Sequence, residues 1–584
     1  LPLNTPGAEP DRSRPQHDRL APPADCTPLS GALLAMSGWA LVWLAIAAAS
    51  AARWPLIVQD DARHFVIWLR QQADPSLFAG DAIADQFRTL TPWAYEALYR
   101  PFTLLGADAL LVHLLVMMAA LGALFSLSVY LLTYELWPSR RGAALVGAIA
   151  PLVLGGPTAA VGLPKTFGVI IIALSLLTFL RRRPVLTAAA LFVGTGLYPA
   201  TVAVSGLAMA LLCLKPGFPF VATDRRTLVT LAAGGIAALA GGLVFMRELA
   251  TLGPTFSLEQ ARQAAIFSPG GRLAFFEADG ALGLWCNRNG YATFCFRTLA
   301  PPWRGLVAGL LLALFFGLAW AIANGRAARP MRRLGLPEPP PRLAGVALAV
   351  LAAGLILHSL ALLLLFRLHE PSRYGHNAVK TAFVLVVLPF AAAAVIGGAR
   401  RLRRHGWSKA ARALVFTPGL IVAVAMVATS AMFFSKAPAI HAYLRQTPKD
   451  TLVGGFSREL DLVPAFSSRG VYAAYELMIP YKKTYHDLLY RRITQTVLAL
   501  YQVTPDAFTA FARDSGIDYV LVDRGERHQR DRLRRWQESV PAVAPALRFL
   551  EAGKTPFFKP LETRCTVARS PRQLLLDAAC LSAR

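Results

Sequence analysis

Gln59-Asp60-Asp61-Ala62-Arg63-His64 sets two adjacent carboxylates beside a cation and an imidazole, directly after the first long apolar run. At a membrane–water boundary a carboxylate serves as a general base when burial and neighbouring charge raise its pKa. It can also ligate a hard divalent cation such as Mg or Mn. Adjacent side chains diverge in extended backbone, so one of Asp60 and Asp61 is expected to point into a site while the other orients or caps. The structural alternative is that the pair caps a helix starting at Arg63, because Asp is a favoured N-cap.

A second polar group lies between two apolar runs, in Arg367-Leu368-His369-Glu370-Pro371-Ser372-Arg373-Tyr374-Gly375-His376. Arg373 offers a planar fork for phosphate, Tyr374 a hydrogen bond or a stacking face for a sugar, and His376 an imidazole. Interfacial anchoring by Arg and Tyr accounts for the same residues. Lys165 is a lone cation in the turn after Gly155-Gly156-Pro157, suited to neutralise an anionic substrate or simply to snorkel. Arg63, His64, Lys165, Arg373, Tyr374 and His376 form the candidate substrate-binding set, with Asp60 and Asp61 the candidate catalytic residues and metal ligands. Asp81, Asp85 and Arg88 are further candidates that a solvated loop face explains equally well. His113 and His358 fall in apolar runs, where a neighbouring helix would satisfy a lone imidazole.

The elements that must position these groups follow from composition. The chain has 584 residues, 55% hydrophobic and 16% charged, with a mean hydropathy of +0.45, which is the profile of a polytopic membrane protein. Its net charge of +26 resides in short clusters between apolar runs, at Arg181–Arg183, Arg332–Arg333 and Arg400–Arg404. Cytoplasmic loops carry such clusters, and no aromatic-interleaved basic face accompanies them, so nucleic acid is not an expected partner.

A bilayer core of about 30 Å takes roughly 20 apolar residues per helix. Runs at 33–52, 108–131, 143–156, 166–180, 185–198, 199–214, 228–246, 304–323, 343–366, 379–398 and 413–434 give about eleven spans. Dividing 185–214 into two helices hinged at Tyr198-Pro199 keeps every basic cluster on one side, whereas a single helix would invert all later loops. Residues 1–32 are then a disordered cytoplasmic tail, and the first run stays as an anchor rather than a cleaved signal. The loops 53–106, 157–165, 248–303 and 367–378, and everything from 435 to 584, lie outside. Phe65-Val66-Ile67-Trp68-Leu69 is expected along the membrane interface.

From 435 onward the composition becomes that of a small extracytoplasmic α/β domain. Strands are expected near 451–456, 470–475 and 517–522, and helices at 484–502 and 505–515. Cys286/Cys295 and Cys565/Cys580 are closely spaced external pairs suited to disulfides, with unlinked thiols the alternative. Cys26 and Cys213 fall near the inner face.

The order of these features resembles the GT-C superfamily of integral-membrane glycosyltransferases. Carrying the resemblance are Asp60-Asp61 after the first span, the long first external loop with its juxtamembrane helix, and Pro371-Ser372-Arg373-Tyr374 between late spans. It implies a GT-C-like transmembrane domain over 33–434 in a bacterial inner membrane. It also implies an enzyme of the cell envelope that moves a sugar from a polyprenyl-phosphate donor to a lipid, glycan or protein acceptor on the periplasmic side. On this resemblance Asp60 or Asp61 activates the acceptor hydroxyl or helps hold a metal, and Arg373 binds the departing phosphate. Some members carry a second acidic motif in the next external loop, where this chain has Lys165 and no carboxylate, which counts against a metal. Two other readings stand beside it: a transporter or flippase of a lipid-linked or anionic substrate, although no internal repeat is visible, and a non-catalytic envelope scaffold.

Overall fold

A computed structural model of the chain describes residues 29–53, 56–59, 61–159, 162–214, 224–284, 290–291, 301–333, 336–410, 432–501 and 505–583. Asp60, Cys26, Cys286, Cys295 and nearly all of the span expected at 413–434 lie outside the described residues.

Among the described residues, five helices are long and apolar enough to cross a membrane: Ala109–Leu136, Arg225–Ala250, Gly305–Ala323, Pro341–Leu363 and Ser372–Arg404. Pro164–Leu180, Pro184–Thr195 and Pro199–Leu212 are shorter apolar helical segments, and Leu29–Arg53 and Arg140–Ala159 are helical as well. The chain is a membrane protein built mainly of helices.

Residues 184–212 form two helices, as the charge distribution requires. Backbone at Tyr198 leaves the helical region, and Pro199, whose fixed φ suits the first helical position, opens the second helix. The break is docked: the Gly196 carbonyl accepts from the Ala94 backbone N–H at 2.8 Å, and a Cβ on Gly196 would run into the Trp93 ring. At the ends of three other segments, Glu135 is 3% exposed between Arg181 Nε, at 2.9 Å, and Arg342 Nη2, at 3.3 Å.

Phe65–Leu69 takes a different place from the one expected. Val66, Ile67, Trp68 and Leu69 are buried, with Trp68 stacked on Phe87 and edge-on to Phe78. The segment packs inside the protein because a following helix, Ala82–Leu90, covers it. Asp81 is the N-cap of that helix, accepting from Ile83 N at 2.7 Å, and Asp85 and Arg88 form an exposed pair one turn apart. Asp81 is thus a helix cap rather than part of a solvated loop face, and Asp85 and Arg88 sit on the exposed face of a helix.

Strand β1 (Ile57–Gln59) pairs antiparallel with β2 (Met432–Phe434), fastening the start of the first loop to the start of the C-terminal portion. Strands β3 (Leu452–Phe456), β4 (Gly470–Val471), β5 (Tyr519–Asp523), β6 (Thr566–Arg569) and β7 (Gln573–Asp577) make a mixed sheet in the order β4-β3-β5-β7-β6. β4, β3 and β5 are parallel, and β7 is antiparallel to both its neighbours. Lys483–Tyr501 and Pro505–Ser515 are helical as their periodicity predicts. Cys565 and Cys580 are joined in a disulfide that closes the β6–β7 hairpin onto the helix after it. Hydrophobic packing runs without interruption from the apolar helices into this sheet.

Candidate functional site

Asp61 stands at the N-cap position of a short turn, Ala62–Phe65, yet its side chain makes no capping bond. Gln59 Oε1 supplies that acceptor, 3.1 Å from Ala62 N. The carboxylate turns instead to the Lys165 ammonium, with which it is ion-paired, and to His64 Nδ1 at 3.7 Å. Burial pushes the Asp61 pKa up, but the contacts with His64 and Lys165 outweigh it and hold the group well below the usual carboxylate range. The expected upward shift is thus reversed, and the resting Asp61 is ionised.

The His64 ring is held in place from two sides. Its Nε2 lies 3.0 Å from the Glu476 carbonyl, which can only accept, so Nε2 carries a proton and the ring orientation is fixed. Phe87 packs against the ring at 5.2 Å. Arg63 diverges from its neighbours: it is 1% exposed and interacts electrostatically with Asp461 and Glu476, away from Lys165. Successive residues of a turn point to different sides, and sequence adjacency alone did not reveal which way Arg63 turns.

Lys165 is held by a tight turn over Pro164–Thr166. Gly162 enters it at φ +63°, a conformation that favours glycine, and its carbonyl accepts from Tyr95 OH at 3.0 Å. Tyr95 OH bonds Tyr99 OH at 2.8 Å, and Tyr99 OH bonds His113 Nδ1 at 2.7 Å. His113 is therefore satisfied by a neighbouring helix, and this buried hydroxyl chain fixes the turn that presents Lys165.

Residues 372–378, expected in a loop, are the opening turns of the Ser372–Arg404 helix. Helical spacing puts Arg373, His376 and Lys380 on one face, at i, i+3 and i+7. Arg373 Nε is 2.8 Å from Glu370 Oε2, and Tyr481 OH donates to the same oxygen at 3.1 Å. Asp61 lies within electrostatic range of Arg373, and Lys380 within range of both Lys165 and Arg373. Two carboxylates, Asp61 and Glu370, and three cations are thus gathered from the first loop, the Lys165 turn and the start of the Ser372–Arg404 helix. Lys380 escaped notice as the second residue of an apolar run at 379–398. The helical interval from Arg373 is the signal that would have found it.

Tyr374 does not face this group. Its hydroxyl donates to the Leu368 carbonyl at 2.5 Å, so it secures the turn rather than presenting itself to a sugar. His376 belongs to the cluster electrostatically through Lys380, Glu370 and Arg373, and its Nε2 is buried with no hydrogen-bond partner among the described residues. In the preceding turn, Phe366 and His369 both adopt positive φ, of 63° and 66°. Such strained non-glycine backbone concentrates at functional sites. Burial and then the Arg373 charge push the His369 imidazole down to about 4, so it is neutral at physiological pH.

Among the described residues no group of three His, Cys, Asp or Glu side chains converges to hold a metal ion, and the Lys165 ammonium occupies Asp61 Oδ2. The described residues do not fit Mg or Mn.

No family model and no curated protein matches the sequence. Solved structures do match in shape. ArnT from Cupriavidus metallidurans in the apo state is similar with a TM-score of 0.50 at 16% identity, over 93% of this chain and 97% of that one. The same protein bound to undecaprenyl phosphate gives 0.49 at 14% identity, over 95% and 100% of the two chains. The apo oligosaccharyltransferase of Archaeoglobus fulgidus gives 0.46 at 13% identity, over 89% and 72%. Over nearly its whole length, the chain shares the fold of ArnT from Cupriavidus metallidurans.

Proposed function

We propose that this chain is a membrane glycosyltransferase that takes a sugar from a polyprenyl-phosphate donor and transfers it to a glycan, lipid or protein acceptor. The reaction takes place on the extracytoplasmic face of a bacterial inner membrane, with the N-terminal tail inside and residues 435–584 outside as a small α/β domain. The observation that carries this reading is the ion pair between Asp61 and Lys165, with Arg373 and Lys380 in its field.

Such a constellation meets both demands of the reaction. The acceptor hydroxyl oxygen attacks the anomeric carbon and loses its proton to the Asp61 carboxylate. The bond from that carbon to the phosphate oxygen breaks, and the leaving polyprenyl phosphate keeps the electron pair. Lys165, Arg373 and Lys380 offset the charge that grows there, while Glu370 and Tyr481 hold the Arg373 fork in place.

Lys165 has a further consequence in this scheme. At rest it neutralises Asp61 and keeps it a weak base. A bound donor phosphate draws the ammonium toward itself, and Asp61 regains basicity when donor and acceptor are both present. Residues 435–584 support the site through the Glu476 carbonyl on His64 and through Tyr481. Asp60, which precedes Asp61 in sequence, is its candidate partner. No step of this scheme passes through a metal.

Product analysis in proteoliposomes tests the proposal against a transporter. Given a labelled polyprenyl-phosphate sugar and acceptor lipids, the protein is expected to leave the label on an acceptor and release polyprenyl phosphate. Movement of an intact donor across the bilayer, with no new glycoside, would establish the transporter instead.

A further inference from the structure

A cavity of about 320 Å³, whose lining does not include Asp61, opens at the carboxyl ends of the parallel strands β3 and β5. Open α/β sheets bind ligands at this edge, because the loops leaving the strands diverge there. Six cations line the cavity: Arg63, Lys436, Arg458, Arg532, Arg535 and Arg572. They come from five separate stretches of the chain, so no local charge run explains their meeting.

The two carboxylates in the wall are already committed. Asp523, the last residue of β5, is 3% exposed, pairs with Arg532 Nη2 at 2.5 Å and accepts from Ser457 Oγ at 2.7 Å. Glu459 is 5% exposed and bonds Ser435 Oγ at 2.5 Å and His441 Nε2 at 3.0 Å. Lys436, Arg458, Arg535 and Arg572 are exposed at the cavity. His528, Arg532 and Arg535 fall at i, i+4 and i+7 of the Glu526–Gln537 helix and so form one wall. Concentrating like charge in a concave site costs free energy that a multivalent anion offsets, and guanidinium forks match phosphate oxygens.

We infer that this cavity binds a phosphate-bearing ligand of at least two negative charges, at a site separate from Asp61. The inference does not rest on the glycosyltransferase reading. The phosphates have two available sources, a soluble phosphorylated compound or the headgroup of an anionic lipid. Arg63, one residue from Ala62 and two from Asp61, lines the cavity and connects it in sequence to the other site.

The test uses the full chain in neutral detergent, titrated calorimetrically with inorganic pyrophosphate, and the same chain in nanodiscs of phosphatidylcholine with and without cardiolipin. Binding of pyrophosphate that weakens at least tenfold in an Arg535→Ala, Arg572→Ala double variant, and persists in Arg373→Ala, supports the cavity with a soluble source. Retention of cardiolipin over phosphatidylcholine that the double variant loses supports it with a lipid source. Absence of both, or binding that the double variant leaves unchanged, overturns the inference. Both substituted side chains are exposed. Circular dichroism confirms folding, and Arg572→Gln alone, with an expected intermediate loss, repeats the reading with a milder change.

Discussion

The Lys165 ammonium is ion-paired with the Asp61 carboxylate across 104 residues of sequence. That contact replaces the capping role open to an Asp at this position, and it makes the loop after the first helix and the Lys165 turn a single electrostatic unit.

Removing the cation should change the pH behaviour of the carboxylate. Asp61 titrates below its ordinary value because of His64 and Lys165, so its acidic limb lies below about pH 4. In Lys165→Met the limb of the transfer rate is expected to move to higher pH, with Lys165→Arg near wild type. A stability term accompanies it: a depressed native pKa stabilises the fold above the unfolded value, and that contribution is lost as pH falls through the native one. The variant should therefore show a flatter fall in melting temperature on acidification.

Glu370 orients Arg373, so its loss should appear in donor binding. Charge-assisted hydrogen bonds are worth about 1.5–3 kcal/mol, which is roughly 10–100-fold. Glu370→Gln is expected to raise donor KM by that order, with kcat reduced less. Tyr481→Phe, which removes one donor from the same oxygen, should give a smaller rise.

Asp461 supplies a prediction of opposite sign. Burial, and then the neighbouring Glu476 charge, push its carboxyl up to about 6. A raised native pKa gives stability that is full below the unfolded value near ~4 and is lost as pH rises through about 6. Asp461→Asn keeps an oxygen for the Glu476 backbone N–H and carries no charge. Thermal melts should show the variant more stable than wild type at pH 8 by a few degrees, with the two converging near pH 4. A constant difference across that range would contradict the assignment.

Glu135 is a control remote from the chemistry. Glu135→Ala leaves two guanidinium groups without their shared carboxylate, and breaking a buried pair commonly costs about 3–5 kcal/mol, less where one partner is partly exposed as Arg181 is. Melting temperature should drop by several degrees while donor KM stays at the wild-type value.

What the sequence disclosed depended on the range of the signal. Lengths of apolar runs, Pro199 at a hinge, basic clusters and strand periodicity are local or summed properties, and they located the helices, the break at Tyr198-Pro199 and strands β3 to β5. The β6–β7 hairpin escaped although β7 is as long as β3 and β5; its partner β6 is only partly buried and so lacks a clear apolar alternation. Which way a side chain turns depends on distant partners. Trp68 is buried because Phe78 and Phe87 close over it, Tyr374 is spent on Leu368, and Arg63 faces Asp461 and Glu476. Lys380 lay one helical interval from a residue already singled out. The Lys165 turn was legible as a lone cation, but its partner was not.

The most direct measurement is kcat for sugar transfer from a polyprenyl-phosphate donor by purified Asp61→Asn in proteoliposomes, beside the wild type. A positioned general base contributes about 10²–10⁴-fold, so the account predicts a fall of that size with folding and membrane insertion unchanged. Wild-type kcat in the folded variant would contradict it.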